Sequence, residues 1–354
     1  MFAWLTRIFG GPEPQAAKSR PAAKGAPAGA PRPQPANLPK PAAKPEPAKQ
    51  DDGYLSKLAA QLGEPVGLTP EEEQETSALI EDISYFVGTH RIDPPVMPAV
   101  ATRMLELTRQ DEVDVHALSR LIEKDQATAA KLLSIANSAV FKGNSEITGL
   151  REAIVFLGTE QVAQIAIGLA SRAVFDGPNK VGANAPRFSR MFNHAMTTAF
   201  AACQIASRRN RRHSESAFLG GLFHDVGKAV ALRAIDEMTA NKGATMPPEH
   251  VIDAALYQIH ADPSASLYEA WKLPSSLMQV CKNHHRLAVD TPPELHVVRL
   301  VSGLDALRNG ANAERREALT EVSESAAALG LSDAELRVAD QETKEFAERV
   351  KMMF

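Results

Sequence analysis

Five of the ten histidines in this 354-residue chain are His194, His224, His260, His284 and His285, all in its second half, and His224 is followed directly by Asp225. Imidazole nitrogens and carboxylate oxygens are the usual ligands of divalent transition metals. An ion held by such a set acidifies a bound water and turns it into a nucleophile for phosphate esters. The candidate metal ligands are therefore His194, His224, Asp225, His260, His284 and His285. Lys228, three residues past the carboxylate, is the candidate catalytic group, placed to meet a phosphate. A lone histidine is more often a core or surface residue, so the weight rests on the group. Neighbours on a helix are about 100° apart, so His224 and Asp225 share one ion only from the edge of their helix. The other ligands must then arrive from neighbouring helices.

The elements that would carry these residues read as helices. Thr69-Pro70-Glu71-Glu72-Glu73 is a helix start, with a hydroxyl N-cap, proline at the first position and acids against the positive end. Leu79, Ile80, Ile83, Phe86 and Val87 follow as an apolar stripe at helical spacing. From Pro98 to Phe175 the pattern stays helical, with Val100, Met104 and Leu107 on one stripe. Leu118, Leu121 and Ile122 form a second stripe, and Leu132, Leu133, Ile135 and Ala136 a third. The histidines fall on predicted helices over Phe188–Ala206, Ala217–Val230, Pro247–His260 and Pro274–His285. Further helices are predicted over Ser264–Trp271 and Val297–Arg308. The charged segment from Ala313 to Phe354 is helical too, anchored by Leu319, Val322, Leu329, Leu336 and Val338, as a lid, a partner-binding tail or padding. No period-two strand pair occurs and aromatic content is only 5%, so the expected class is all-α.

Composition divides the chain. Residues 1–50 hold eleven of the 24 prolines and eight Lys or Arg against two Glu. With that segment at +6 and the whole chain at −4, the body stands at −10, which disfavours sequence-independent binding of nucleic acid. Arg208, Arg209, Arg211 and Arg212 are the one dense basic run of the body, without interleaved aromatics, and read as a solvated loop. Residues 1–66 are expected to be a disordered Pro/Ala/Lys-rich tail. Its first eleven residues carry Phe2, Trp4, Leu5, Ile8 and Phe9 on one face, suited to a weak membrane contact or a docking peptide. Residues 67–90 read as a helical lead-in. Cys203 and Cys281 lack metal-type spacing and are too few for a disulfide framework, and no long apolar run spans a membrane, so a cytoplasmic setting is expected.

Residues 91–290 resemble the HDOD domain, a divergent member of the HD phosphohydrolase superfamily. The resemblance runs through Pro94-Pro95-Val96-Met97-Pro98, Ile122-Glu123-Lys124-Asp125 and Leu132-Leu133-Ser134-Ile135-Ala136-Asn137-Ser138. It continues through Ile147-Thr148-Gly149-Leu150, Phe156-Leu157-Gly158 and Leu222-Phe223-His224-Asp225-Val226-Gly227-Lys228, to Trp271-Lys272-Leu273-Pro274 and Asn283-His284-His285. It implies an HD-like helical domain in two lobes, with residues 291–354 as a helical extension, and a regulatory role with protein partners in a signalling pathway. In active HD phosphohydrolases a His, a His-Asp doublet and a later Asp hold the metal. His194, His224 and Asp225 match the first three, but Ser302 falls at the closing position, with Asp305 almost one turn on as the substitute. His260, His284 and His285 resemble the extra ligands of the HD-GYP group, which hydrolyses cyclic di-GMP. The Gly-Tyr-Pro signature is absent, since Ala261-Asp262-Pro263-Ser264 follows His260. The expectation is a non-catalytic module that binds a partner or ligand and needs no cofactor. The alternative is a phosphohydrolase using Fe, Mn, Zn or Mg on a nucleotide or cyclic dinucleotide.

Overall fold

The structure is a computed structural model. It describes residues 53–89, 115–138, 146–176, 182–210, 213–242, 245–273, 275–286 and 291–354, together with Thr102. The first eleven residues, the Pro94–Pro98 stretch, Val100, Met104 and Leu107, and Arg211 and Arg212, for which expectations are given above, lie outside the described residues. The described residues form α-helices and no strand, as the missing period-two pattern required.

Helices α1 (Tyr54–Leu62) and α2 (Pro70–Thr89) lead in, followed by α3 (Val115–Glu123), α4 (Gln126–Ala136), α5 (Leu150–Leu157) and α6 (Thr159–Phe175). The long α7 (Ala185–Arg209) begins the second half, with α8 (Ser214–Phe223), α9 (Val226–Lys242), α10 (Glu249–Ile259), α11 (Ala261–Ala270) and α12 (Ser275–Asn283). Helices α13 (Pro293–Asn309), α14 (Asn312–Ala328) and α15 (Asp333–Met353) complete the chain. No single described helix is long and apolar enough to cross a membrane.

Helices α3 to α6 pack on one another and join the remainder through α6, which meets α7 and α9. Two local devices hold this lobe. Asp125 caps α4 by accepting from the Ala127 and Thr128 amides at 3.1 and 3.2 Å. Asn137 bonds both the amide and the carbonyl of Ile147, at 2.8 and 2.7 Å, tying the end of α4 to the approach to α5. In the lead-in, Thr69 is the expected cap of α2, accepting from the Glu72 amide, and its own amide donates back to the Glu72 carboxylate. Leu79, Ile83, Phe86 and Val87 are buried there, with Ile80 half-buried at the edge.

The second lobe centres on α7 and α13, with α8, α12, α14 and α15 around them. Its apolar cluster draws Ala201 and Ile205 from α7, Leu300, Val301 and Leu304 from α13, Val322 from α14 and Leu336 from α15. The segment after residue 290 is thus packed into the molecule. Leu336 is buried as expected, but Val338 is half exposed because the two sit on different faces of α15. Residues 54–62, read as tail, form α1: Leu58 inserts into the α13–α15 cluster and the Tyr54 amide meets Asp333 at 3.0 Å. Leu58, with the partly buried Tyr54, Leu55 and Leu62, anchors the helix once α13, α14 and α15 supply the surface.

Two glycines set the approach of the helices that carry the histidines. A Cβ on Gly221 of α8 would lie 2.7 Å from the Ala199 backbone nitrogen of α7. A Cβ on Gly227 would collide with the His260 carbonyl and lie 2.7 Å from the Ser264 nitrogen. The bare Gly227 amide instead donates to Ser264 Oγ at 2.8 Å, which brings the start of α9 against the α10–α11 junction.

Candidate metal centre

His224 and Asp225 stand at the break between α8 and α9, not inside one helix over 217–230 as the sequence pattern suggested. His224 itself keeps helical dihedrals, with its amide donating to the Gly220 carbonyl at 2.9 Å. Residues 217–232 are all buried, so no polar face marks the interruption in the sequence. His194 comes from α7, His260 ends α10, and His284 and His285 follow the end of α12. All six candidate ligands meet in one place. Asp225 is common to two groups, one with His260, His284 and His285 and the other with His194 and His224, with donor atoms in each within 4.8 Å of one another.

The outward nitrogens of these rings are committed. His224 Nδ1 donates to the Gly221 carbonyl at 2.9 Å, His260 Nδ1 to Leu256 at 3.0 Å, and His284 Nδ1 to Cys281 at 3.0 Å. Each acceptor is a carbonyl, so the neutral rings carry their proton on Nδ1 and turn a bare Nε2 inward. His194 Nδ1 meets Asp305 at 2.6 Å, and His285 Nδ1 meets Glu321 at 2.5 Å. Histidines that ligate metals are oriented in this way, by a carbonyl or carboxylate on the far nitrogen.

Inside, like faces like. His260 Nε2 is 3.1 Å from His284 Nε2 and 3.1 Å from His285 Nε2. Asp225 Oδ1 lies 3.1 Å from His260 Nε2 and 3.3 Å from His284 Nε2, and is buried without a hydrogen bond. Lone pairs and a carboxylate at this spacing call for a positive charge among them, and a divalent cation fits the donor set. Protonation is a poor substitute: burial holds His260 below its ordinary value despite Asp225, and burial lowers His285 with its histidine neighbours adding to the effect. Burial opposes the charge of Asp225, yet its neighbours, the Lys228 ammonium among them, outweigh it and keep the carboxyl well below the usual range.

Ser302 and Asp305, both on α13, divide the work of the closing carboxylate differently from expectation. Ser302 Oγ sits 3.1 Å from His224 Nε2 and 3.2 Å from His194 Nε2. Asp305 lies behind His194, on Nδ1, so it orients that ring and does not take the ligand position. It also outweighs burial to raise the His194 pKa. Lys228 Nζ is buried between Asp225 Oδ2 and Glu314 Oε1, 2.6 Å from each. This double ion pair balances charge at Asp225, and Lys228 also lines the cavity beside the centre.

Sequence reading missed Glu314 and Glu321, both on α14. Burial pushes the Glu321 carboxyl up to about 6. Their signal in the sequence was faint: two acids seven residues apart, one of them inside a stripe of Ala318, Val322 and Ser325 that the fold buries. A cavity of about 440 Å³ opens over the His194 side of the centre, lined by His194, Asp225, Lys228 and Asp305, with Arg187, Arg190 and Lys351 as further cations and Glu249, Asp253 and Glu314 as further acids.

Comparison with known proteins agrees with this architecture. The HDOD domain profile matches residues 95–287. An uncharacterized protein of Treponema pallidum (strain Nichols) is 25% identical over 206 residues, covering 56% of this chain and only 39% of its own length. An HDOD domain protein of unknown function from Geobacter sulfurreducens shares the fold at TM-score 0.56 and 18% identity, with 78% of this chain and 99% of that one covered. A candidate metal-dependent phosphohydrolase from Shewanella amazonensis SB2B aligns at TM-score 0.52 and 18% identity, covering 79% of this chain and 100% of its own. A candidate signal transduction protein from Marinobacter aquaeolei VT8 aligns at 0.54 and 19%, over 84% and 67%. At these identities the solved structures speak for the fold alone, whereas the profile match over more than half the chain speaks for descent. The chain belongs to the HDOD domain family.

Proposed function

We propose that this chain is a regulatory HDOD protein that binds divalent transition metal at the Asp225 histidine cluster and uses the adjoining cavity to bind a small phosphorylated ligand, a nucleotide or cyclic dinucleotide. The observation that carries the reading is the facing of the His260, His284 and His285 Nε2 atoms around Asp225 Oδ1, with their Nδ1 positions turned outward. His260, His284, His285 and Asp225 would hold one ion. His194, His224 and Asp225 would hold a second more weakly, because Ser302 stands where a carboxylate would close the set. When bound, the metal supplies a Lewis acid for phosphate oxygens and an acidified water. Arg190 and Lys351 at the cavity supply charge for the rest of such a ligand. The output is contact with a protein partner of a cytoplasmic signalling pathway. The tail at residues 1–11 offers a weak membrane contact as a second tether.

A second reading, metal-dependent phosphohydrolase, is favoured by one observation: a single carboxylate, Asp225, is common to both ligand groups. Both readings meet the same experiment. The full chain is stripped with chelator, reloaded with Mn²⁺, Fe²⁺ or Zn²⁺, freed of excess and assayed for bound metal. It is then incubated with phosphomonoesters and linear and cyclic dinucleotides. The expected result is at least one ion per chain, lost in His260→Ala, with ligand binding and no turnover. No metal above background overturns both readings. Metal-dependent turnover that disappears in His224→Ala replaces the binding module with the hydrolase.

A further inference from the structure

We infer that Glu321 is a positioning residue of the metal centre, acting through His285, so that α14, beyond the HDOD-matched residues, completes the site. The inference rests on the metal reading above. His260 and His284 are each steadied by a carbonyl four residues or fewer back in their own helix. His285 differs. Its Nδ1 meets side chains only: Glu321 Oε1 at 2.5 Å and, more distantly, the Tyr257 hydroxyl at 3.4 Å. A carboxylate on Nδ1 fixes the proton there, turns Nε2 toward His260, and makes the ring a better donor to a cation.

The setting of Glu321 argues against an incidental contact. Its residue is only 7% exposed, on the face of α14 that also buries Ala318, Val322 and Ser325. A buried carboxylate is costly unless it is paired, so an apolar residue would suit this helix face better if packing were the only demand. Two turns earlier on the same face, Glu314 reaches Lys228, and Lys228 reaches Asp225. One helix therefore supports the centre from two directions, through a ligand ring and through the counter-ion of the shared carboxylate.

The test titrates Co²⁺ into the metal-free full chain and follows the visible absorption of bound cobalt, for wild type, Glu321→Ala, Glu321→Gln and His285→Ala. Far-UV circular dichroism confirms the helical fold of each. Wild type is expected to bind. Glu321→Ala should bind about 10–100-fold more weakly, with an altered cobalt band. Glu321→Gln keeps an acceptor oxygen for Nδ1–H and should recover most of the affinity and the wild-type band. In the His285→Ala background, Glu321→Ala should add no further loss. Wild-type affinity and spectrum in Glu321→Ala, or a full additional loss in the double variant, overturns the positioning role while leaving the metal reading intact. Failure of wild type to bind cobalt overturns both.

Discussion

His224, His260 and His285 are held below their ordinary pKa, chiefly by burial, and this gives the metal-free protein a definite pH dependence. In the unfolded chain each takes up a proton near 6.5, while in the folded chain it stays neutral to lower pH. The unfolded state therefore binds more protons below about 6.5, and stability falls as pH falls through that value. Each group contributes a slope of up to about 1.4 kcal/mol per pH unit. His194 works the other way: its pKa is raised, so it adds stability at low pH that fades as pH rises through its folded value. Glu321, pushed up to about 6 by burial, works in the same direction as His194, but His224, His260, His285 and the likewise lowered His296 outnumber the two and decide the sign. The urea midpoint of chelator-treated protein should drop between pH 7.5 and 5.5, and bound Zn²⁺ should flatten the profile by competing with protons for the same nitrogens. A flat profile without metal would mean that the rings are already charged in the fold. At this scale the sequence was readable for identity and not for geometry. The six ligands could be listed from residue type and family order, but which nitrogen turns inward depends on carbonyls such as Gly221 and Leu256 and on the distant Asp305 and Glu321.

Helices could be placed from periodicity wherever one face stays wet, and the limits lay where none does. The α2 stripe and its Thr69 cap follow directly from amphipathic spacing. The α8–α9 break could not be read, because unbroken burial from 217 to 232 leaves no polar face to lose. The break matters because α9 starts afresh at Val226, and Gly227 then sets how near it comes to His260. Gly227→Ala would press a methyl group into the His260 carbonyl and the Ser264 amide, neither of which can swing aside. Overpacking of this kind costs about 1–3 kcal/mol. The urea midpoint should fall accordingly, and Co²⁺ affinity should fall with it as His260 is pushed from Asp225. By contrast, Asp125→Ala removes only the α4 cap, in the other lobe, and should cost about 1 kcal/mol with no change in metal binding. Equal effects of the two substitutions on metal affinity would show that the centre responds to general loosening of the fold.

For the whole molecule, the family boundary and the physical boundary differ. The profile ends at 287, yet Ser302, Asp305, Glu314 and Glu321 reach the centre from α13 and α14. The second apolar cluster cannot be cut there either: Ala201, Ala202, Ile205 and Val280 lie against Leu295, Val298, Val301 and Leu304. At the other end, Leu79, Ile83, Phe86 and Val87 of α2 belong to the main core. Burying one such side chain is worth about 1.5–3 kcal/mol. Losing four from α2 and the α13 face together removes as much as the roughly 5–15 kcal/mol by which a domain is stable at all. A chain of residues 91–290 should therefore fail to melt cooperatively and should elute as aggregate. Residues 53–354, which retain α1 and its Tyr54 contacts with Asp333 and Asp340, should melt within a few degrees of the full chain. Calorimetry on the two fragments beside the whole protein decides the matter. A sharp, reversible transition for 91–290 near that of the full chain would make α13 to α15 an appendage, and would leave the carboxylates of α14 without a structural claim on the site.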